Sequence, residues 1–517
     1  MSFIAALHPY PSYLNSGNNA WQLTAATLVG LMSLPGLAVL YGGLVQRKWV
    51  VNTMLMAFTG FSAVLIVWVL WGFDMSFGQP VNLGPSILGS FIGHPGTVLS
   101  HAGEQAQANI PLVSGIGAMP KFQFPQSSLV YFQFVFAAIT PLLFLGSVLG
   151  RMNMKAWLLF VPLWSSLVYS VNAFLLWGGG WWAQKGAVDF SGGYVIHLAA
   201  GTSGFVAAAV IGPRLARDRA RALPNNLPMV AIGAGILWLG WNGFNGGDPY
   251  FAGADAATAV INTNLATAAA LLMWVIWDMV GGPQRKPTFL GGVNGMIVGL
   301  VAITPAAGYV NGAGALLIGG IASSIVWVSW NKLGRLSLFQ KVDDAMGVFH
   351  THGVAGLTGG ILVGFLADPS VVVYPGSGKT SSVAVTGLLY GHPLQVLWQV
   401  GAAGTVIIWD ALLTFLILKL IGLFVPLRYP DEVLETGDVA AHDEEAYPSD
   451  AGVERRGFEP REPAPVPVGS AVPLGSGPTP ATSGMDNPTG LGRASPSMGS
   501  GTATMDDAAG LGRGETP

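Results

Sequence analysis

The sequence predicts an all-α membrane protein that crosses the bilayer many times and is built from two related halves. Composition is the first sign of this class. The 517 residues are 51% hydrophobic and only 9% charged, whereas soluble proteins carry about 25% charged residues. Eleven apolar segments are each long enough to cross a bilayer, which takes about 20 residues. A histidine-centred motif also occurs twice along the chain.

The apolar segments give the predicted order of the transmembrane helices. They lie at 21–46, 50–72, 127–150, 156–179, 191–212, 227–246, 256–280, 288–307, 312–333, 346–367 and 394–424. We therefore expect residues 1–426 to form the transmembrane domain. The chain then becomes acidic and rich in proline, so 427–450 is predicted to be a cytoplasmic tail and 451–517 a disordered Pro/Gly/Ser-rich tail. The long outer loop at 74–126 receives no role.

Basic residues predict how the helices are oriented in the bilayer. With the N-terminus outside, fourteen Lys and Arg residues lie in the inner loops and at the start of the tail, against three in the outer loops. Cytoplasmic loops of membrane proteins are enriched in Lys and Arg. This bias predicts an external N-terminus and a cytoplasmic C-terminus.

The repeated motif indicates an internal duplication. Residues 189–204 and 344–359 both fit D-x2-G-x4-H-x2-A-G-x2-G. The two copies fall on the fifth and tenth apolar segments, so they cross the membrane in opposite directions. The sequence therefore predicts two inverted five-helix repeats followed by an eleventh helix, an architecture that is frequent in transporters.

Two histidines, His197 and His352, occupy the matching position of the two motifs. A histidine at membrane depth is costly and usually faces the interior of the helix bundle. Two separate packing histidines are the alternative, but the matching positions favour a functional pair. Neutral imidazoles can both donate and accept hydrogen bonds, which suits a small polar solute or a proton relay. The chain has no cysteine and no third ligand nearby, so no metal or other cofactor is expected.

Asp189 and Asp344 precede the histidines by two helical turns. Aspartate is a favoured residue before a helix, where its carboxylate complements the positive helix end. We favour this capping role for Asp344. For Asp189, on the outer side, capping and support of a cation site both remain open.

Aromatic residues crowd the third, fourth and sixth segments. They are Phe132, Phe136, Trp177, Trp238, Trp241 and Phe244. Such rings anchor or pack membrane helices, and their faces can also bind a cation; composition does not choose between these roles. The sequence lacks H-E-x-x-H and G-x-S-x-G, so an enzyme is not expected. Residues 374–380 look like the end of a phosphate-binding loop but lack its first glycine, and are interpreted as an ordinary loop.

Longer motifs over residues 20–450 resemble the ammonium transporter/methylammonium permease/Rhesus family. They are Pro35-Gly-Leu-Ala-Val-Leu-Tyr41, Phe132-Gln133-Phe-Val-Phe136, Trp177-Gly-Gly-Gly, the motif from Asp189 to His197, Asn226-Leu-Pro-Met, Gly240-Trp241-Asn-Gly-Phe244-Asn245, Asn262-Thr263, Thr304-Pro-Ala-Ala-Gly-Tyr309 and the motif that ends at His352. The resemblance implies a homotrimer in the plasma membrane, with one pore per subunit between the two repeats.

The resemblance also implies roles for individual residues, from the outside inward. Phe136 and Phe244 would stack as an outer gate, and Trp177 would line the vestibule that recruits ammonium. Phe132, Trp241 and Gln133 would border the gate. His197 and His352 would be the pore pair, Asp189 would support the recruitment site, and Thr304 would lie near the pore.

The implied activity is ammonium uptake in which the cation loses its proton near the gate and ammonia passes the histidines. If the proton also crosses, transport is electrogenic, as the ammonium-transporter branch of the family favours. An ammonium sensor on the same scaffold and a Rhesus-like neutral channel for ammonia or carbon dioxide are the alternatives. Residues 438–447 resemble the regulatory tail of the family, which implies a possible cytoplasmic PII-type signal protein as partner. The lipid bilayer is the remaining expected partner, and no nucleic acid is expected.

Two residues depart from the family pattern. The sequence has Asp248 where relatives have a serine at the vestibule. This carboxylate either strengthens cation recruitment or caps the turn before Pro249. His350 stands where many relatives have glycine, and because residues two apart on a helix do not share a face, we expect it to point away from the pore.

Overall fold

Apolar helices dominate the structure, a computed structural model that describes residues 11–81, 91–115, 120–221, 223–282, 284–374 and 383–448. Within these residues, ten helical segments are long and apolar enough to cross a membrane. In chain order they are α1 (Ser16–Leu44), α2 (Arg47–Phe77), α3 (Gln126–Val148), α4 (Met154–Lys185), α5 (Gly193–Ile211), α6 (Leu227–Gly246), α7 (Ala254–Gly281), α9 (Gly312–Arg335), α10 (Phe349–Leu366) and α11 (Leu394–Gly422). The predicted class, a mostly helical polytopic membrane protein, is confirmed.

The segment predicted at 288–307 forms a shorter helix, α8 (Phe289–Ile303). Its 15 residues span about 22 Å, less than the ~30 Å of a bilayer core. The helix stops early because Pro305 follows Thr304 and has no backbone N–H to continue the hydrogen bonds of the helix. Residues 304–309 form turns instead. The eleventh span and the inverted-repeat arrangement therefore remain predictions.

Within the described residues, five turns have wider, π-helical geometry, of which three interrupt long helices and two begin α5 and α10. They are Met32–Gly36, Trp68–Gly72, Ser165–Tyr169, Gly193–Leu198 and Phe349–Val354. The first contains Pro35, which cannot donate the backbone hydrogen bond of a regular helix. The last two contain His197 and His352. Such turns are frequent at functional sites.

Helix α3 is the most enclosed element, with nearly every residue from Leu129 to Val148 buried. Its neighbours include α1, α2 and α5. A helix that is apolar all round is expected at the centre of a bundle. Short helices outside the spans are His101–Gln105, Pro111–Gly115, Ala216–Ala220 and Ser337–Lys341, and α4 ends in the short helix Trp181–Lys185. Within the described residues, one antiparallel strand pair joins Val372–Tyr374 to Val383–Ala384.

The tail after α11 folds back onto the loops at the predicted cytoplasmic ends of the helices. It contains two short helices, α12 (Asp431–Thr436) and α13 (Asp438–His442). The Asp438 carboxylate accepts the backbone N–H groups of Val51 and Asn52, both at 2.8 Å, and so caps the start of α2. The predicted domain boundaries remain predictions, and residues 375–380 and 451–517 lie outside the described residues.

Candidate permeation site

The two motif histidines are in contact in the interior of the protein. The Nδ1 atoms of His197 and His352 lie 3.2 Å apart, and both side chains are buried. A hydrogen bond between them requires one Nδ1 to carry the proton and the other to accept it. The Nε2 atoms of the two rings are then in opposite protonation states, so the pair offers one Nε2 acceptor and one Nε2–H donor. Nε2 of His197 has no hydrogen-bond partner among the described residues.

Glycines bring the two histidine-bearing helices close together. A Cβ atom on Gly201 of α5 would lie 2.3 Å from Cα of Gly353 in α10. One on Gly356 would lie 2.5 Å from the carbonyl oxygen of Gly193. Only glycine permits such an approach of two membrane helices. The small residues of the repeated motif therefore place the imidazoles in contact.

Each motif aspartate caps the turn that carries its histidine. Oδ1 of Asp189 accepts the backbone N–H groups of Gly192 and Gly193, and Oδ2 accepts those of Tyr194 and Val195, at 2.6–3.2 Å. Asp344 accepts the N–H of Phe349 at 2.8 Å in the same manner. Burial raises the pKa of Asp189 to about 6, while the four N–H groups act in the opposite direction. Asp189 would therefore support a cation site indirectly, by holding the backbone at the start of α5 in place.

A column of aromatic rings leads from the outer side to the histidine pair. Phe136 and Phe244 lie with centroids 4.4 Å apart and a 36° angle between their planes. The His197 ring stacks on Trp241 at 5.3 Å and on Phe244 at 6.0 Å. Nε1 of Trp241 donates to the Thr304 hydroxyl at 2.9 Å. These rings pack against one another and line the predicted route to the two histidines.

Trp177 and Phe132 flank the outer end of this column. Trp177 meets Phe136 edge-on at 6.2 Å, and its Nε1 donates to the backbone carbonyl of Asp189 at 2.6 Å. Phe132 lies 4.8 Å from Phe136. Trp238, in contrast, donates to Asn264 on α7 at 2.9 Å. Of the six aromatic residues noted in the sequence, five are joined by ring contacts around the gate, directly or through one another.

Asp248 is buried at the outer end and accepts a hydrogen bond from the Ser191 hydroxyl. Burial, followed by the nearby Asp189, holds the pKa of Asp248 well above its usual range. Among the described residues no backbone N–H donates to this carboxylate, and the following turn is closed by the N–H of Tyr250 and the carbonyl of Gly247. The structure therefore does not place Asp248 as the turn cap considered from the sequence.

Sequence reasoning did not find Ser191 or Tyr250. Tyr250 accepts a hydrogen bond from Nε2 of Gln133 at 2.7 Å, across 117 positions of the chain. Ser191 lies inside the repeated motif at a position where the second copy has Met346.

On the predicted cytoplasmic side of the histidines lies a small, mostly apolar cavity. This cavity, of about 40 Å³, extends from His352 and Trp241 between leucine and valine side chains. It shares Leu44, Leu290, Asn294 and Met346 with a wider cavity of about 180 Å³.

His350 lies apart from the histidine pair, with Nδ1 at 2.8 Å from the Ser329 hydroxyl and its ring 5.6 Å from Trp330.

A buried column of aromatic rings that leads to two imidazoles in contact, inside a bundle of apolar helices, is typical of a membrane transport protein. Residues 20–447 match the model of the Ammonium Transporter Family, and the chain belongs to this family. Ammonium transporter 2 member 1 of Oryza sativa subsp. japonica is 49% identical over 450 residues, covering 86% of this chain and 90% of that protein. Ammonium transporter 2 of Arabidopsis thaliana is 47% identical over 447 residues, covering 86% and 90%.

Solved structures give the same picture. Mep2 of Saccharomyces cerevisiae superposes with a TM-score of 0.70 at 28% identity, covering 81% of this chain and 89% of that one. A "Sensor Amt Protein" superposes with a TM-score of 0.68 at 23% identity, covering 83% and 98%; this second likeness concerns the fold alone. The family predicted from the sequence motifs is confirmed.

Proposed function

We propose that this protein is an electrogenic ammonium transporter of the plasma membrane. It recruits ammonium at the outer vestibule formed by Trp177, Phe132 and Asp248, removes a proton near Phe136 and Phe244, and conducts ammonia past His197 and His352. The observation that carries the proposal is the continuous column from the gate rings through Trp241 to two imidazoles in contact. Membership of the ammonium transporter family supports the choice of substrate.

Desolvation energies favour conduction of the neutral molecule. Moving an ammonium-sized ion into a medium of low dielectric costs on the order of 20 kcal/mol by the Born expression. Neutral ammonia costs only about 2–7 kcal/mol without partners, and imidazole nitrogens reduce this cost by hydrogen bonding. The narrow apolar cavity beyond His352 suits such a solute. Because the two Nδ1 atoms are within hydrogen-bond distance, the imidazoles also provide a relay for the released proton.

The wider organisation follows the family resemblance. We propose a homotrimer with one pore in each subunit, an external N-terminus and a cytoplasmic C-terminus. A PII-type signal protein is the proposed cytoplasmic partner. The docking of the tail on α2 through Asp438 supports a regulatory role, since a partner that displaces the tail would also remove this helix cap.

Current recording on reconstituted full-length protein tests the proposal. Proteoliposomes receive a jump in external ammonium while current and uptake are measured together. The proposal predicts a sustained inward current with uptake. Uptake without current would instead support the neutral-channel alternative, and ammonium binding without either would support a sensor.

A further inference from the structure

Tyr250 lies beside the outer gate, although no motif of the sequence singled it out. Its backbone φ is +62°, in the left-handed region that residues other than glycine rarely adopt. Its ring packs edge-on against Phe122 at 5.1 Å and Phe132 at 6.0 Å. An unfavourable backbone conformation that is held by packing points to a constraint on the side chain.

The constraint concerns the neighbouring amide of Gln133. Its Nε2 donates to the Tyr250 hydroxyl at 2.7 Å. The Gln133 side chain is only 1% exposed, and its carbonyl oxygen, Oε1, has no hydrogen-bond partner within the described residues. A buried acceptor without a donor is unfavourable. A bound molecule that supplies an N–H donor would therefore be favoured at this oxygen.

The unpaired oxygen belongs to a residue next to the proposed gate. Gln133 lies three positions before Phe136 on α3, and residues three apart share one face of a helix. Phe136 in turn packs on Phe244. The amide is thus one helical turn from the rings between which the cation would lose its proton.

We propose that Tyr250 is a positioning residue that turns the Gln133 amide so that Oε1 accepts a hydrogen bond from ammonium at the outer gate. Because the Tyr250 hydroxyl accepts a hydrogen bond from Nε2 of Gln133, the N–H groups of this amide are held away from the cation. The inference rests on the proposed function, and it extends that function by naming a determinant of selectivity.

Selectivity follows from the number of oxygen atoms that each cation needs. A potassium ion enters a site when several oxygens replace its water shell. The walls formed by Phe132, Phe136 and Trp177 offer ring faces instead. Ammonium is satisfied by hydrogen bonds to a few acceptors together with contacts to ring faces. One correctly oriented amide oxygen therefore favours ammonium over potassium.

The end of the long outer loop holds Tyr250 in place. The backbone carbonyl of Phe122 accepts Nε2 of Gln107 at 2.5 Å, and that of Phe124 accepts the N–H of Ala108 at 3.0 Å. Phe122 and Phe124 are both fully buried and lie within 6.5 Å of the Tyr250 ring. Phe122 and Phe124, from the loop to which the sequence analysis assigned no role, thus pack against the residues of the proposed vestibule.

The test measures ammonium-evoked current in proteoliposomes of the full chain and its variants. Tyr250→Phe keeps the ring and removes only the hydroxyl. We expect its half-saturating ammonium concentration to rise about tenfold, the effect of one hydrogen bond to a charged group, with the maximal current little changed and inhibition by potassium increased. Gln133→Met removes the acceptor and should give the same rise. Tyr309→Phe is the control, because the Tyr309 ring packs on Phe190 instead.

A double variant separates positioning from general damage. In Gln133→Glu both side-chain oxygens are acceptors, so orientation no longer matters and adding Tyr250→Phe should have no further effect. Equal effects of Tyr250→Phe in the two backgrounds would overturn the inference, as would wild-type affinity in Tyr250→Phe. If the unmodified protein shows no ammonium-dependent transport, the proposed function fails, and the inference fails with it.

Discussion

Asp248 at the predicted outer end of the helix bundle and Asp343 at its predicted cytoplasmic end are both buried, yet their surroundings differ. Asp343 accepts Nε and Nη2 of Arg214 at 2.9 and 2.7 Å, and its backbone carbonyl accepts from Arg151. Burial opposes ionisation of Asp343, but the hydrogen bonds and charge of Arg214 prevail and lower its pKa to about 2. Asp248 has the Ser191 hydroxyl as its partner, and its pKa is raised.

This difference separates a structural charge from one that is open to a ligand. At the cytoplasmic end the protein supplies its own cations, so the carboxylate fixes loops together. At the outer end, ammonium can supply the positive charge that favours ionised Asp248. We therefore expect substitutions at Asp343 to change stability and those at Asp248 to change affinity for ammonium.

Removing the Asp343 carboxylate should have the largest effect. Asp343→Ala leaves the half-buried Arg214 guanidinium beside Arg151 without its partner, and breaking a buried ion pair costs about 3–5 kcal/mol. The midpoint of thermal unfolding of the purified protein should fall strongly. Glu435→Ala is the control, because it breaks an exposed pair with Arg217 that is worth about 0–1 kcal/mol. Equal stability of the two variants would contradict the structural role of Asp343.

Asp248→Asn should weaken recruitment without unfolding the protein. It keeps the shape of the side chain and removes the charge that ammonium would stabilise. Transport should fall more at low than at high ammonium, with the half-saturating concentration raised about tenfold, in line with one charge-assisted hydrogen bond. Glu104→Gln removes an outer charge from an exposed position and should leave the kinetics unchanged. Unaltered kinetics in Asp248→Asn would remove it from the recruitment site.

The two carboxyls should also respond differently to pH. Because the pKa of Asp343 is lowered from 3.8 to about 2, its contribution to stability is complete above pH 4 and is lost as pH falls toward 2. The full effect is roughly 2 kcal/mol. Asp343→Asn should flatten the acid limb of a plot of unfolding midpoint against pH. An unchanged acid limb would mean that Arg214 does not hold this carboxylate ionised.

Asp248 should instead make affinity depend on pH. Its pKa is raised, so external acidification favours the neutral acid and competes with ammonium. The half-saturating ammonium concentration should rise as pH falls, and this slope should be smaller in Asp248→Asn. The measurement is a series of ammonium titrations of current at fixed external pH values. Identical slopes in the two proteins would contradict a proton-linked cation site.

The smallest effect is expected at His350. Its ring is engaged by Ser329 and Trp330, away from the contact between His197 and His352. His350→Gly should change maximal current by about twofold or less, as expected for a residue outside the site. A loss of current comparable with that of a pore-histidine variant would place His350 in the route.

The sequence was sufficient for features that depend on local pattern. Apolar runs predicted the ten confirmed spans, and the repeated motif pointed to the pair His197 and His352, whose Nδ1 atoms lie 3.2 Å apart. The early end of α8 was missed because apolar residues continue past Ile303, although Pro305 was visible. The contacts of Asp248 with Ser191 and of Gln133 with Tyr250 join positions 57 and 117 residues apart. The pattern of apolar residues along the chain does not predict such contacts, since they depend on how helices and loops pack.

The most direct test of the histidine pair is the steady current evoked by ammonium in His197→Ala and His352→Ala, measured with and without potassium. We predict that each variant loses conduction or loses selectivity for ammonium over potassium. Normal current with normal selectivity in both variants would contradict the role of the histidine pair as the pore.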